Sequence, residues 1–200
     1  MSNTIITSSV DSDSTPIATP VLPLAAGTWQ LDTNHSSVGF SIRHLGVSKV
    51  RGRFARFGAQ LDVGASLESS LLTATIELAS IDTGNPDRDA HVSSPDLLDV
   101  ASRPTMDFRS TSITGDGNDW SVVGDLTIGN VTRPLTLAVD FGGIESFPGG
   151  GPRHAGFEAT GEFRRKAFGI DLAMPPGVSG VMLGDVVKFE LDIQLLEPAS

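Results

Sequence analysis

The last long run of the chain alternates apolar and polar residues without a break. Val187, Phe189, Leu191, Ile193 and Leu195 share one parity, and charged or amide residues take the other. Successive side chains of a β-strand point to opposite faces, so this run predicts a strand with one buried face and one face in water. Seven phenylalanines lie in or beside runs of this kind. The pattern predicts a β-barrel with an apolar interior.

Similar runs follow one another along the chain with almost no helical periodicity between them. Strands that follow strands pair antiparallel, and turn residues such as Gly129-Asn130 mark the connections. The expected fold class is all-β, and 200 residues suit one barrel domain. The expected strands lie near residues 28–32, 37–45, 50–63, 71–82, 105–114, 119–129, 133–142, 154–163 and 186–196.

The segment 85–104 is the main exception. Asn85-Pro86 and Ser94-Pro95 each place an N-capping residue before a proline, which predicts two short helix starts. We expect this segment to cover one barrel mouth as a lid, with its apolar side formed by Leu97, Leu98 and Val100. A further helical turn is expected near 66–70.

Residues 1–26 are rich in Ser, Thr, Pro and Asp, and we expect them to form a flexible leader ahead of a barrel domain at 27–200. The first basic residue is Arg43, so the positive start of a secretory signal is missing, and no apolar run is long enough to span a bilayer. These features predict a cytoplasmic protein without a transmembrane segment.

Charge and residue types exclude several classes of function. The net charge is −10 and basic residues are scattered, which argues against nucleic-acid binding. The absence of cysteine excludes disulfides and thiolate chemistry. The four histidines lack metal-ligand spacing, and Asp32, His35 and Ser36 are better explained by hydrogen bonds that organise a strand start. We therefore expect no metal, no cofactor and no catalytic residue.

Taken together and in order, ten segments resemble the YceI-like family. The resemblance spans roughly residues 27–196, nearly the whole folded part, and its segments read TWQLD (28–32), HSSVGFSIRHLG (35–46), VRGRF (50–54), IDTGN (81–85), RDAHV (88–92), LLDV (97–100), PTMDF (104–108), GDLTI (124–128), VTRPLTL (131–137) and FGI (168–170). Ala167 departs from the family, which often carries Asp at that position.

The resemblance implies an eight-stranded antiparallel, lipocalin-like barrel with one or two short helices. It also implies a hydrophobic cavity for a long-chain amphiphile such as a polyisoprenoid, an isoprenoid quinone or a fatty amide, and a role in its binding, storage or transport. Two alternatives stay open: an enzyme acting on such an amphiphile with His35, His44 or His91 as general base, and an interaction protein with a filled barrel.

Parity assigns eleven residues to the ligand-binding wall, and apolar residues near Gly-rich connections are candidates for a dimer face. Family members are often dimers, and a two-fold homodimer is the commonest assembly of soluble proteins. The wall residues are Phe40, Ile42, Leu78, Met106, Phe108, Leu126, Ile128, Leu137, Val139, Phe157 and Phe189. The dimer candidates are Leu45, Val47, Phe147 and Met182.

Overall fold

The computed structural model describes residues 22–146, 148–172 and 182–198. Within these ranges the chain forms eleven strands and one α-helix, α1 (Pro86–Ser93), so the all-β class is confirmed. The strands are β1 (Gly27–Leu31), β2 (Ser37–His44), β3 (Ser48–Phe54), β4 (Phe57–Val63), β5 (Leu71–Glu77), β6 (Ile81–Asp82), β7 (Thr105–Asp116), β8 (Asp119–Ile128), β9 (Val131–Ser146), β10 (Arg153–Arg164) and β11 (Leu183–Leu196).

Eight of these strands form a closed antiparallel barrel in the order β1-β4-β5-β7-β8-β9-β10-β11. The ring closes where Gln30 and Leu31 of β1 pair with Leu196 and Leu195 of β11. Consecutive strands pair as hairpins through most of the ring. The predicted eight-stranded antiparallel barrel is confirmed.

Three further strands extend one end of the barrel wall. β2 continues the path of β1 and pairs with β11, from Val187↔Ile42 to Asp192↔Ser37. β3 pairs with β2, and β6 pairs with β3. The wall is therefore longer on this side than on the others.

The expected single strand over 50–63 is wrong, because the structure divides it into β3 and β4. Ala55 N and Arg56 N donate to the carbonyl and hydroxyl oxygens of Ser80, which lies in a short 3-10 turn, 78–80. The expected single strand over 71–82 is wrong as well, because the same turn divides it into β5 and β6, with the fully buried Leu78 between them. The break thus adds an apolar side chain to the core.

The segment 85–104 contains one helix rather than two. Asn85 caps α1, since its side-chain oxygen accepts from Arg88 N at 3.0 Å, as predicted. The second expected start at Ser94-Pro95 is wrong: Asp99 N donates back to Ser94 O, and Asp99 has φ 48°. This backbone conformation folds the chain into turns, and Leu97 in these turns is buried in the core. The predicted turn near 66–70 is a 3-10 helix at 67–69.

The core lines the inside of the barrel and continues beneath α1. Trp29 is fully buried, and its Nε1 donates to Ala25 O at 2.9 Å. Leu24 is buried too, so packed structure begins before the boundary that we placed at residue 26. Residues 1–21 of the expected leader lie outside the described residues.

Candidate functional site

Two apolar cavities lie inside the barrel and meet at two shared residues. The first, which we call the barrel cavity, has a volume of about 140 Å³ and is lined by residues of β4, β5 and β7–β11. The second, the helix-side cavity, measures about 220 Å³ and is lined by residues of β2, β3, α1 and the turns after α1. Met106 and Phe189 line both cavities. These two side chains therefore form a partition between them.

The barrel cavity is almost free of polar groups. Ser70 and Trp120 are its lining residues with hydrogen-bonding side chains, and both are already engaged. Ser70 Oγ donates to Ser66 O at 2.8 Å, and Trp120 Nε1 donates to Gly117 O at 3.0 Å. Neither group is left to bind a polar substituent, so this cavity suits a hydrocarbon chain.

The helix-side cavity differs because basic and imidazole side chains line it. They are His44, Arg88, His91 and Arg165, and no Asp or Glu is among the lining residues that the structure describes. The cavity therefore has a cationic end in a chain whose net charge is −10.

Arg165 and Arg88 are held in place by different sets of acceptors. The buried guanidinium of Arg165 donates to the carbonyl oxygens of Gly184, Ile170 and Leu183 at 2.8, 2.7 and 3.1 Å, and its Nη1 forms an ion pair with Asp171 Oδ1 at 3.3 Å. Arg88 donates through Nε and Nη2 to the hydroxyl and carbonyl oxygens of Thr83, each at 2.7 Å. Nη1 of Arg88 has no hydrogen-bond partner among the described residues.

All eleven residues that parity assigned to the ligand wall line at least one of the two cavities. Phe108, Leu126, Leu137, Val139 and Phe157 line the barrel cavity. The helix-side cavity takes Phe40, Ile42, Leu78 and Ile128, and the partition residues Met106 and Phe189 border both. Contact of these residues with a ligand stays a prediction.

Several lining residues were not predicted. Trp120 and Val122 share the parity of Leu126 on β8, so the sequence carried a signal for both. His44 likewise shares the parity of Phe40 on β2. Arg88 and Arg165 reach the helix-side cavity through α1 and a 3-10 turn, whose positions on the barrel no local pattern reveals.

Two histidines bracket one buried carboxylate outside both cavities. His35 Nδ1 lies 2.8 Å from Asp32 Oδ2, and His154 Nδ1 lies 3.6 Å from the same oxygen. The hydrogen bond with His35 lowers the pKa of Asp32 against the opposing effect of burial, and Asn34 N helps by donating to Oδ1. This cluster ties the β1–β2 connection together, which agrees with the structural interpretation of Asp32, His35 and Ser36.

The two cavity histidines lack the partners that acid–base catalysis needs. His44 and His91 line the helix-side cavity, whose described lining residues include neither a serine nor a carboxylate. Its one hydroxyl, on Thr83, already donates to Asp89 Oδ1 at 2.5 Å. The residues described also contain no group of His, Asp and Glu side chains arranged to hold a metal ion. The geometry provides an apolar cavity with basic side chains at one end.

The family model of the YceI-like domain matches residues 29–195. The chain belongs to the YceI-like family. A UPF0312 protein of Staphylococcus epidermidis is 40% identical over 163 residues, which cover 81% of this chain and 93% of that protein. The YceI protein of Campylobacter jejuni has a similar structure, with a TM-score of 0.66 and 30% identity over 84% of this chain and 97% of the other.

A domain from Saccharophagus degradans has a similar fold at lower sequence identity. That polyisoprenoid-binding domain matches with a TM-score of 0.61 and 11% identity, over 85% of this chain and 98% of the other, so the likeness shows the fold alone. Among the described residues of the present YceI-like chain, no helix is long and apolar enough to cross a membrane.

Proposed function

We propose that this YceI-like barrel binds one long-chain amphiphile and serves in its storage or transport rather than in its chemical conversion. The observation that carries the proposal is the pair of apolar cavities that meet at Met106 and Phe189. A filled barrel would have no such space. A polyisoprenoid-binding domain of the same fold, from S. degradans, supports the proposal.

We infer the orientation of the ligand from the polarity of the two cavities. Its hydrocarbon chain occupies the barrel cavity, where the side-chain hydrogen-bonding groups are already satisfied. Its head group lies in the helix-side cavity near Nη1 of Arg88, with His91 and His44 beside it. Because those groups are cationic or can donate hydrogen bonds, the preferred head is an anion or a hydrogen-bond acceptor.

Hydrocarbon burial alone supplies enough affinity. Each buried methylene contributes roughly 0.8 kcal/mol. Association costs about 4–15 kcal/mol, and micromolar binding needs a further ~8 kcal/mol. Roughly 15 to 29 buried carbons meet these demands, which is the size of a long acyl chain or of a short polyisoprenoid.

The homodimer predicted from the sequence remains a proposal. Among its four candidate residues, Leu45 and Val47 are exposed and Met182 lines the helix-side cavity, whereas Phe147 lies outside the described residues. A dimer mass in light scattering would support it, and a monomer mass at tens of micromolar would contradict it.

Organic extraction of the purified protein followed by mass spectrometry tests the binding function. We expect a co-purified apolar molecule with one long chain. Repeated absence of any such molecule, together with no binding of prenyl or acyl probes, would overturn the proposal.

Two variants locate the ligand within the barrel. Phe108→Asp places a charge on the wall of the barrel cavity and should abolish ligand retention. Because a buried charge can also unfold the protein, Ala159→Leu serves as a second variant: Ala159 lines the same cavity, and the larger side chain fills it with apolar atoms. The matched control is Ala138→Leu on the exposed outer face of β9, which should retain ligand like the parent protein. Equal retention by the Ala159 and Ala138 variants would contradict this placement.

A further inference from the structure

The β2–β3 hairpin tip exposes large apolar side chains to solvent. Leu45 is 56% exposed and Val47 is 82% exposed, and they are the exposed large hydrophobic residues within the described ranges. Leu45 also has φ 52°, a left-handed conformation that glycine or asparagine adopts more easily. The tip therefore holds a leucine in a position that is both solvent-exposed and strained in its backbone.

The strands behind the tip carry cations without neutralising partners. Arg43 and Lys49 face each other across the hairpin, and Arg51 follows on the same outer face. Like charges in directly opposed positions destabilise a hairpin. None of the three forms an ion pair with another described residue, whereas Arg53 and Arg56, farther from the tip, pair with carboxylates. The uncompensated positive charge is thus concentrated next to Leu45 and Val47.

The sequence around the hairpin has a charge opposite to that of the whole protein. Five of the 14 Lys and Arg residues fall between Thr33 and Leu61, and no Asp or Glu does. The net charge of the chain is −10, so acidic residues dominate the remainder. This hairpin is consequently the region of the described surface best suited to an anionic partner.

The tip adjoins the helix-side cavity. His44 and Val50, the residues just behind the tip on the inner face, line that cavity. Leu45 N donates to Met182 O at 2.9 Å, and Met182 lines the cavity as well. A surface that receives the tip would therefore lie beside the cationic end of the ligand site.

We propose that the β2–β3 hairpin docks the protein onto an anionic lipid bilayer. Leu45 and Val47 enter the interfacial region, while Arg43, Lys49 and Arg51 contact anionic head groups. Docking itself does not depend on the content of the barrel. The consequence that an amphiphile passes from the bilayer into the helix-side cavity rests on the proposed function.

Charge distinguishes the bilayer from a second copy of this chain as the occupant of the tip, so Leu45 and Val47, which the sequence offered for a dimer face, are assigned here to the bilayer, and the proposed homodimer would use another face. Hairpin tips that met across a two-fold axis would bring Arg43 and Lys49 of one protomer close to the same cations of the other. An anionic bilayer offers apolar contact and opposite charge together. It is therefore the occupant that matches both properties of the tip.

Sedimentation with vesicles tests the docking surface. The vesicles contain three parts phosphatidylcholine to one part phosphatidylglycerol, and binding is measured at about 50 mM and about 500 mM salt. Arg43→Gln combined with Lys49→Gln should lower the partition coefficient roughly 25-fold at low salt, since each cation contributes about a factor of five. Leu45→Asn combined with Val47→Ser should lower it about tenfold or more. High salt should weaken binding of the parent protein.

The matched control changes two exposed cations elsewhere on the barrel. Arg109→Gln combined with Arg133→Gln alters the net charge equally on β7 and β9 and should leave the partition coefficient within about twofold. Equal loss in both double variants, or no binding of the parent protein at low salt, would overturn the proposal. So would a dimer that the Leu45 and Val47 substitutions convert to a monomer, because the tip would then be covered by a second copy. A protein that yields no amphiphile on extraction and binds no prenyl or acyl probe, but still binds these vesicles, would overturn the ligand function alone.

Discussion

Replacing Phe189 with alanine should join the two cavities into one. Phe189 is 5% exposed and lines both cavities together with Met106. Its ring packs against Phe163 with the ring centroids 5.4 Å apart. Removal of the ring takes away one of the two side chains that form the partition and leaves Met106 alone, a flexible residue that a ligand can displace.

The expected loss of stability follows from known costs of truncating buried phenylalanines. A Phe→Ala change costs about 3–5 kcal/mol, and the pair with Phe163 accounts for some 0.5–1.5 kcal/mol of it. We expect about 3 kcal/mol, because empty volume on both sides of the ring leaves fewer contacts to lose. For a domain of this size the melting temperature should fall by roughly 6–12 °C.

Binding of a homologous series of saturated fatty acids, from octanoate to eicosanoate, measures the effect on the site. Each added methylene should tighten binding about fourfold as long as it is buried. In the parent protein this gain should be smaller for the methylenes that cross the partition, because they must displace Met106 and Phe189, and it should recover once the chain lies in the barrel cavity. In Phe189→Ala the gain should stay uniform across the series.

Phe141→Ala is the matched control. Phe141 is also 5% exposed and packs against aromatic rings, but it lines neither cavity. It should lose similar stability and keep the parental dependence on chain length. If the gain in affinity per methylene weakens at the same chain length in Phe189→Ala as in the control, Phe189 does not separate the cavities and the reasoning is wrong.

Three further changes test other features. Arg103→Met removes the 2.8 Å hydrogen bond to Leu97 O and should speed release of bound hexadecanoate about tenfold, the equivalent of ~1.5 kcal/mol; an unchanged rate would leave segment 94–103 as a purely structural cap. Asp32→Asn should reduce the loss of stability at acid pH, measured as the free energy of unfolding in urea. The pKa of Asp32 is lowered mainly by His35, so its stabilisation is complete above the ordinary aspartate pKa and disappears as the pH falls through the lowered value; an identical pH profile would contradict this. Leu45→Asn should raise the free energy of unfolding by several tenths of a kcal/mol or more, because asparagine tolerates positive φ, and a decrease would show that Leu45 packs in the monomer.

The alternation of apolar and polar residues in the sequence predicted which side chains face the inside of the barrel. A strand's two faces are fixed by alternation alone, and the wall residues on β2, β7, β8, β9, β10 and β11 needed no knowledge of the neighbouring strands. The capped start of α1 at Asn85 was equally local, since one side chain and one proline specify it.

Features that depend on contacts distant in sequence were not predictable. The division of 50–63 into β3 and β4 depends on Ser80, whose hydroxyl and carbonyl groups accept from the break. The second predicted helix does not form, because Asp99 adopts positive φ and its backbone N–H donates to the carbonyl oxygen of Ser94. The partition at Met106 and Phe189 likewise arises where β7 and β11, far apart in the chain, face each other across the interior.

The seam between β1 and β11 imposes an order on folding. The ring closes where β11 pairs with β1, and β11 also pairs with β2, so closure must await β11, the last strand of the barrel, as the chain leaves the ribosome. Contacts of such long sequence separation make folding slow. Until the seam forms, β1 and β11 present open edges to neighbouring nascent chains, and an unpaired edge is a template for aggregation. Shortening β11 at its end should therefore lower the yield of folded protein in the cell well before it changes the cavities.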